Sequence, residues 1–162
     1  MYVYEGLVSV LILGLVALLL IFGYKKGIRL FTLQVLIEYL FVLFSITVFF
    51  REIQPVSHHL NDPFWSFEKM QEGGIALRAE KAMNVFAFIP IGLLFSGYRQ
   101  SKWWYVILLG LFVSLLIELL QFGLNRGSAD VDDVMFNTFG CIVGVGLYAI
   151  VSGVWNILKV RQ

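Results

Sequence analysis

The sequence predicts an all-α membrane protein, a polytopic bundle of about five transmembrane helices in a single domain over residues 1–162. The first observation is composition, because 59% of the residues are hydrophobic and only 14% are charged, whereas a soluble domain has roughly a quarter charged residues. The second is that the apolar residues form runs near the length of about 20 residues that a membrane-spanning helix needs. The net charge of +1 gives no indication of a nucleic-acid partner.

Five apolar runs predict the spanning helices in order. They are Gly6–Gly23, Leu30–Phe50, Met83–Tyr98, Trp103–Phe122 and Val134–Leu158. The first run has no basic region before it, so we interpret it as a retained span and not as a signal peptide. The third is the shortest and contains Pro90, which a membrane helix tolerates when neighbours satisfy the freed carbonyl.

The distribution of basic residues predicts the orientation of these spans. Three segments on one side of the membrane hold basic charges only, namely Lys25, Lys26 and Arg29, then Arg99 and Lys102, then Lys159 and Arg161. Cytoplasmic loops carry such an excess of lysine and arginine. We therefore expect the N-terminus outside, the C-terminus in the cytoplasm, and a multi-pass location in the cell membrane.

Residues 51–82 form the one long connection, on the predicted outer side, and its aromatic residues favour the membrane interface. His58 and His59 are adjacent in it and would not face one site on a helix or strand, so we do not expect them to hold a metal. Cys141 lies inside an apolar run, where a small buried residue is the simplest interpretation.

Ionisable side chains within a span are costly, so each is a functional candidate. Glu38 falls near the middle of the second span, with Gln34 and Ser45 on the same helical face. Its simplest interpretation is a protonated glutamate that is hydrogen-bonded to a neighbouring helix.

The fourth span has one small or polar stripe on an otherwise aliphatic helix. Gly110, Ser114, Glu118 and Gln121 fall within about 80° of one another around its axis. Such a stripe faces protein or water, not lipid. Glu118 lies about one helical turn below the outer surface, close enough to water to be ionised.

The fifth span begins with a polar face that includes Asp130, Asp133 and Asn137 and continues to Gly140 and Gly144. Aspartates at a helix start are typical of capping. The two glycines are typical of a helix-packing seam, either within the chain or in a homo-oligomer.

The polar stripe of the fourth span, together with Arg126 and Asn84, completes a candidate pocket with that face at the outer surface. Asp132 points to the opposite side of the helix, where we expect it to meet water. Asn137 needs a partner within the span, and Glu118 or Gln121 is the expected one. Arg126, in the preceding loop, can pair with carboxylates or hold a phosphate. The predicted ligand-binding residues are Asn84, Glu118, Gln121, Arg126, Asp130, Asp133 and Asn137.

Three motifs in this order resemble the VanZ-like family. They are NVFAFIPIGLLF (Asn84–Phe95), SLLIELLQ (Ser114–Gln121) and RGSADVDDVMFNTFG (Arg126–Gly140), within a family region of residues 83–148. Each motif is weak by itself, whereas the three in order are fairly specific.

The resemblance implies a protein of the bacterial cell envelope that is associated with resistance to glycopeptide antibiotics, teicoplanin in particular. Our leading hypothesis is a protein that is not an enzyme, whose outer pocket binds a lipid-linked or cell-wall-related group or shields it from the antibiotic. The expected partners are membrane lipids, with a lipid-linked wall precursor or the antibiotic itself as candidates.

The alternative hypothesis is a membrane-embedded enzyme that acts on a lipid head group. Glu118, Asp130 and Asp133 are then candidate ligands of a divalent cation such as Mg²⁺, which prefers oxygen, or one of the carboxylates acts as a general base. The sequence holds no known catalytic signature. We therefore favour the first hypothesis, with no cofactor and no assigned catalytic residue.

Overall fold

The computed structural model describes residues 27–51, 64–72, 74–99, 102–127 and 130–160, and every element in these ranges is helical. The elements are α1 (Ile28–Phe44), which continues as a π-helical turn (Ser45–Phe49), α2 (Trp65–Gln71), α3 (Ile75–Arg99), α4 (Trp103–Gly123) and α5 (Val131–Val160). The predicted all-α class is thereby confirmed. The predicted first span, His58 and His59 lie outside the described residues.

Four of the described helices are long and apolar enough to cross a membrane. The spans are Leu30–Phe49, Ile75–Tyr98, Trp103–Gly123 and Val131–Leu158. The protein is therefore a multi-pass membrane protein, as the composition indicated. The direction of these helices across the bilayer stays a prediction from the basic charges, and we use the term outer end for the predicted extracellular end of the bundle.

The helix α3 begins at Ile75, eight residues before the predicted start at Met83. The prediction of a loop as far as residue 82 was wrong because Arg78, Glu80 and Lys81 lower the hydropathy of this first part of the helix. The loop also contains the short helix α2. Two further turns of α3 thus carry polar side chains at the outer end.

The central contact of the bundle is a close approach of α3 and α5, and it depends on glycine. A Cβ atom placed at Gly140 would overlap the backbone carbonyl of Val85, and one at Gly144 would overlap that of Ile89. The predicted glycine seam therefore packs against α3 of the same chain, and Gly92 of α3 meets the Cys141 carbonyl in the same way.

The helix α1 packs against α3 on the other side. The Tyr39 hydroxyl donates a hydrogen bond of 2.6 Å to the Ala87 carbonyl. Glu38 accepts from Gln34 of its own helix at 3.0 Å, and the expected partner on a neighbouring helix is not found among the described residues. The chain of α1 then widens into the π-helical turn, which is the kind of irregularity often found at functional sites.

Candidate functional site

A polar cavity of about 270 Å³ lies at the outer end of the bundle, between the π-helical turn, the first turns of α3 and α5, and the last turns of α4. Its polar lining consists of Thr47, Arg51, Glu80, Asn84, Glu118, Gln121, Asp133 and Asn137. Five of the seven predicted ligand-binding residues are in this lining. Asp130 lies directly behind it, and Arg126 is held elsewhere.

The most strongly bonded group beside the cavity is Lys81, which belongs to the loop predicted for residues 51–82. Its side chain is only 2% exposed. Its Nζ donates to Asp130 Oδ2 at 2.7 Å and to Asp133 Oδ1 at 2.5 Å. The indole ring of Trp65 lies 5.6 Å from the same ammonium, within cation–π range. A sequence signal existed, because Lys81 precedes Asn84 by three residues and so shares its helical face.

The two aspartates of this cluster also organise the start of α5. Asp133 Oδ1 accepts a second bond from Asn84 Nδ2 at 2.7 Å. Asp130 Oδ1 accepts from the Asp132 backbone N–H at 2.9 Å, which is a capping contact at the first turn of α5. The capping interpretation of Asp130 and the pocket interpretation of Asp133 are thus compatible in one arrangement.

Glu118 connects α4 to Asp130, the residue directly before α5. Its Oε2 accepts the backbone N–H of Asp130 at 3.0 Å, and the side chain is buried. The carboxyl group therefore lies at the N-terminal end of α5, where it satisfies one of the backbone N–H groups that a helix start leaves free. This contact holds α4 and α5 together across the short loop at the outer end.

The candidate metal ligands do not form a metal site in this arrangement. Lys81 Nζ occupies the position between Asp130 and Asp133 that a bound cation would take. Within the part of the chain that the structure describes, no three His, Cys, Asp or Glu side chains converge as metal ligands. The donor set fits an internal ammonium better than a divalent cation.

Asn137 has a partner that differs from the expected one. Its Nδ2 donates to Ser114 Oγ at 2.9 Å, and both side chains are buried. The expectation of Glu118 or Gln121 was wrong because Asn137, two turns into α5, comes level with Ser114, one turn deeper along the antiparallel α4. The polar stripe of α4 is nevertheless the surface that receives it.

Gln121 connects α4 to the π-helical turn. Its Nε2 donates to the Thr47 carbonyl at 2.9 Å, which satisfies one of the carbonyl groups that a helix end leaves free. The side chain is 3% exposed, and its Oε1 has no hydrogen-bond partner among the described residues. An unpaired buried acceptor at a cavity wall marks a position where a bound donor would be stabilised.

Arg126 does not contact the carboxyl groups with which it was expected to pair. Its Nη1 donates to the backbone carbonyls of Phe49 and Arg51, the latter at 2.9 Å. The guanidinium thus closes the end of the π-helical turn, where carbonyl groups lack intrahelical donors. The arginine in the cavity lining is Arg51, which also lies 3.9 Å from Glu80 in an exposed ion pair.

Asp132 does not meet water, and that expectation was also wrong. The residue is 0% exposed. It accepts hydrogen bonds from the backbone N–H groups of Phe64 at 2.8 Å and Ser66 at 3.0 Å, and from the Ser66 hydroxyl. The helical face was predicted correctly, but the helix α2 covers it. Asp132 therefore fixes α2 beside the ion cluster of Lys81.

Replacing Asp132 with alanine is expected to release α2 from the bundle. The change leaves two backbone donors and one hydroxyl without their acceptor, and the expected loss of local stability is about 1–3 kcal/mol. Hydrogen–deuterium exchange of the amides in Phe64–Gln71 measures it. Glu68→Ala, an exposed acidic residue of α2 itself, is the matched control. Equal protection of α2 in both variants would contradict the assigned role of Asp132.

Comparison with known proteins agrees with the resemblance noted in the sequence. The sequence profile of the VanZ/LLP1 family matches residues 10–152. The curated protein named Protein VanZ, from Enterococcus faecium, is 35% identical over 80 residues, which are 49% of this chain and 50% of that protein. The match thus spans about half the length of the curated relative. No solved structure matches the chain.

Proposed function

This chain belongs to the VanZ/LLP1 family, and from that premise we propose that it lowers the susceptibility of the cell to glycopeptide antibiotics of the teicoplanin type. The polar cavity at the outer end is the part of the molecule that acts. It binds a lipid-linked or cell-wall-related group at the face of the membrane where these antibiotics act.

The observation that supports this proposal is the convergence of the motif residues. Asn84, Glu118 and Asp133 come from three different motifs and three different helices, yet they line one cavity. Polar groups that converge on one cavity from several helices are typical of a ligand site. Glu118 thus combines a contact between helices, through the Asp130 N–H, with a place in the cavity lining.

The test is the teicoplanin susceptibility of cells that produce Glu118→Gln or Asp133→Asn. Both changes keep the shape of the side chain, and the amide oxygen of the introduced glutamine can still accept the Asp130 N–H, so the fold is expected to persist. We expect susceptibility to return toward that of cells lacking the protein. Glu72→Gln, an exposed acidic residue beyond α2, removes the same charge away from the cavity and is the control.

Membrane abundance of each variant is measured in the same cells, so that a loss of protein is not mistaken for a loss of function. Unchanged tolerance in both cavity variants, at matched abundance, would show that the cavity is not the active part. Equal loss of tolerance in Glu72→Gln would also count against it.

A further inference from the structure

Apart from Arg51, the side chains of the cavity lining that carry hydrogen-bond donors each donate within the protein. The three side-chain amides of the lining each donate to a protein acceptor: Asn84 to Asp133, Asn137 to Ser114 and Gln121 to the Thr47 carbonyl. The ammonium of Lys81 is held by Asp130 and Asp133. The polar groups left for a ligand are therefore mainly oxygen acceptors.

The strongest sign of such a ligand is the buried Oε1 of Gln121, which has no partner in the described part of the chain. On the same wall lies Glu118, whose one hydrogen bond among the described residues is accepted by Oε2 from the Asp130 N–H. Two acceptor side chains one helical turn apart on α4 favour a ligand group that carries several N–H or O–H donors.

The charges around the cavity favour a cationic donor over a neutral one. Glu80, Glu118 and Asp133 line the cavity, and Asp130 lies behind it, whereas Arg51 and Lys81 are the cationic side chains beside the cavity in the described part of the chain. Lys81 is already enclosed by two of the carboxyl groups. Glu118 is thus the carboxyl group of the lining that forms no ion pair among the described residues.

An apolar groove of about 250 Å³ begins on the other side of Glu118. It runs between α4 and α5 and is lined by Leu115, Leu119, Phe122, Val131 and Val134, with Glu118 and Asp130 at its inner side. Leu119 is 67% exposed and lies within a membrane-spanning helix. The groove therefore faces the lipid, and the natural occupant of such a surface is a hydrocarbon chain.

We propose that the cavity binds the primary ammonium group of a membrane lipid whose acyl chain lies in the groove between α4 and α5. Glu118 lines both spaces and marks the point where the head group and the chain meet. Arg51, with its side chain in the cavity lining, lies where it can hold the phosphate of the same head group. This inference rests on the proposed function, because it names the chemical class of the group that the cavity binds.

Binding of defined lipids to the purified full chain in detergent, followed by native mass spectrometry, tests this proposal. Three lipids with identical acyl chains are compared: phosphatidylethanolamine, which has an ammonium with N–H donors, phosphatidylcholine, which has a cation without donors, and phosphatidylglycerol, which has hydroxyl donors. Glycerophosphoethanolamine supplies the head group without the chains. We expect phosphatidylethanolamine to bind most tightly and the chain-free head group to bind much more weakly.

The variant Glu118→Gln is expected to weaken binding of phosphatidylethanolamine roughly ten- to hundredfold, because a hydrogen bond to a charged group is lost. Glu72→Gln is expected to leave it unchanged. If phosphatidylcholine binds as tightly as phosphatidylethanolamine, the N–H donors are not what the cavity recognises. If phosphatidylglycerol binds as tightly or more tightly, the ligand group need not be an ammonium. If the chain-free head group binds as tightly as the whole lipid, the groove does not bind an acyl chain.

Absence of binding by all three lipids also overturns the inference, but not the proposed function. The latter is measured separately, by the antibiotic susceptibility of cells with Glu118→Gln. If that variant loses tolerance while no lipid binds, the cavity is active and its ligand is of another class.

Discussion

Replacing Lys81 with methionine is expected to lower the free energy of unfolding by about 3–5 kcal/mol, the loss that follows when one partner of a buried ion pair is removed. The methionine has a similar length, so the change mainly removes charge. It leaves Asp130 and Asp133 close together, buried and without their common cation. Unfolding of the purified protein in mixed micelles, followed by tryptophan fluorescence, measures the loss.

Two further variants separate charge from packing in this result. Lys69→Met removes an exposed lysine from α2 and is expected to change stability little. Lys81→Met combined with Asp130→Asn and Asp133→Asn removes the whole charge cluster and is expected to recover part of the loss, since no buried charge is then unpaired. If Lys81→Met is as stable as Lys69→Met, the cluster does not stabilise the bundle.

Replacing Gly140 with leucine is expected to separate α3 from α5. Even the Cβ atom would overlap the Val85 carbonyl, which belongs to the backbone and cannot rotate away. Overpacking of a core usually lowers the free energy of unfolding by about 1–3 kcal/mol, and the loss expected here is at least as large. The unfolding measurement used for Lys81→Met applies here as well.

The same helix supplies a matched control for this change. At Gly146, further along α5, a new Cβ would meet no atom within 4 Å. Gly146→Leu is expected to leave stability unchanged or raise it slightly, because leucine favours a helix over glycine by up to about 1 kcal/mol. Similar losses at Gly140 and Gly146 would indicate that α5 does not pack through Gly140.

These two contacts also explain how the cavity is kept open at the outer end. The glycine seam brings the backbones of α3 and α5 together below it, and the ion cluster holds the first turns of the same two helices above. Glu118 and Gln121 then attach α4 to α5 and to the π-helical turn. The lining side chains are therefore held by rigid helices, which favours a preformed site.

Much of this arrangement follows from local properties of the sequence. The apolar runs predict the spanning helices, because the length and the apolar composition of a segment decide whether it can cross the bilayer as a helix. Helical spacing places Asp130, Asp133 and Asn137 on one face, and that face does meet the polar stripe of α4. These predictions need no knowledge of distant residues.

The tertiary structure alone decided the partners of the charged side chains. Lys81 resembles a loop residue by hydropathy, and it becomes a buried residue because Asp130 and Asp133, about fifty residues later, neutralise it. Asp132 lies on the predicted face, but α2, about 65 residues earlier, covers that face.

Arg126 differs from its prediction for the same reason. Its charge suggested carboxyl groups or a phosphate, whereas the end of the π-helical turn offers carbonyl oxygens that have no other donor. Helices and their polar faces are set by neighbours along the chain, so the sequence by itself determined them. Which charge meets which acceptor depends on how those helices pack, because a buried polar group is stabilised only by a partner that the fold brings to it.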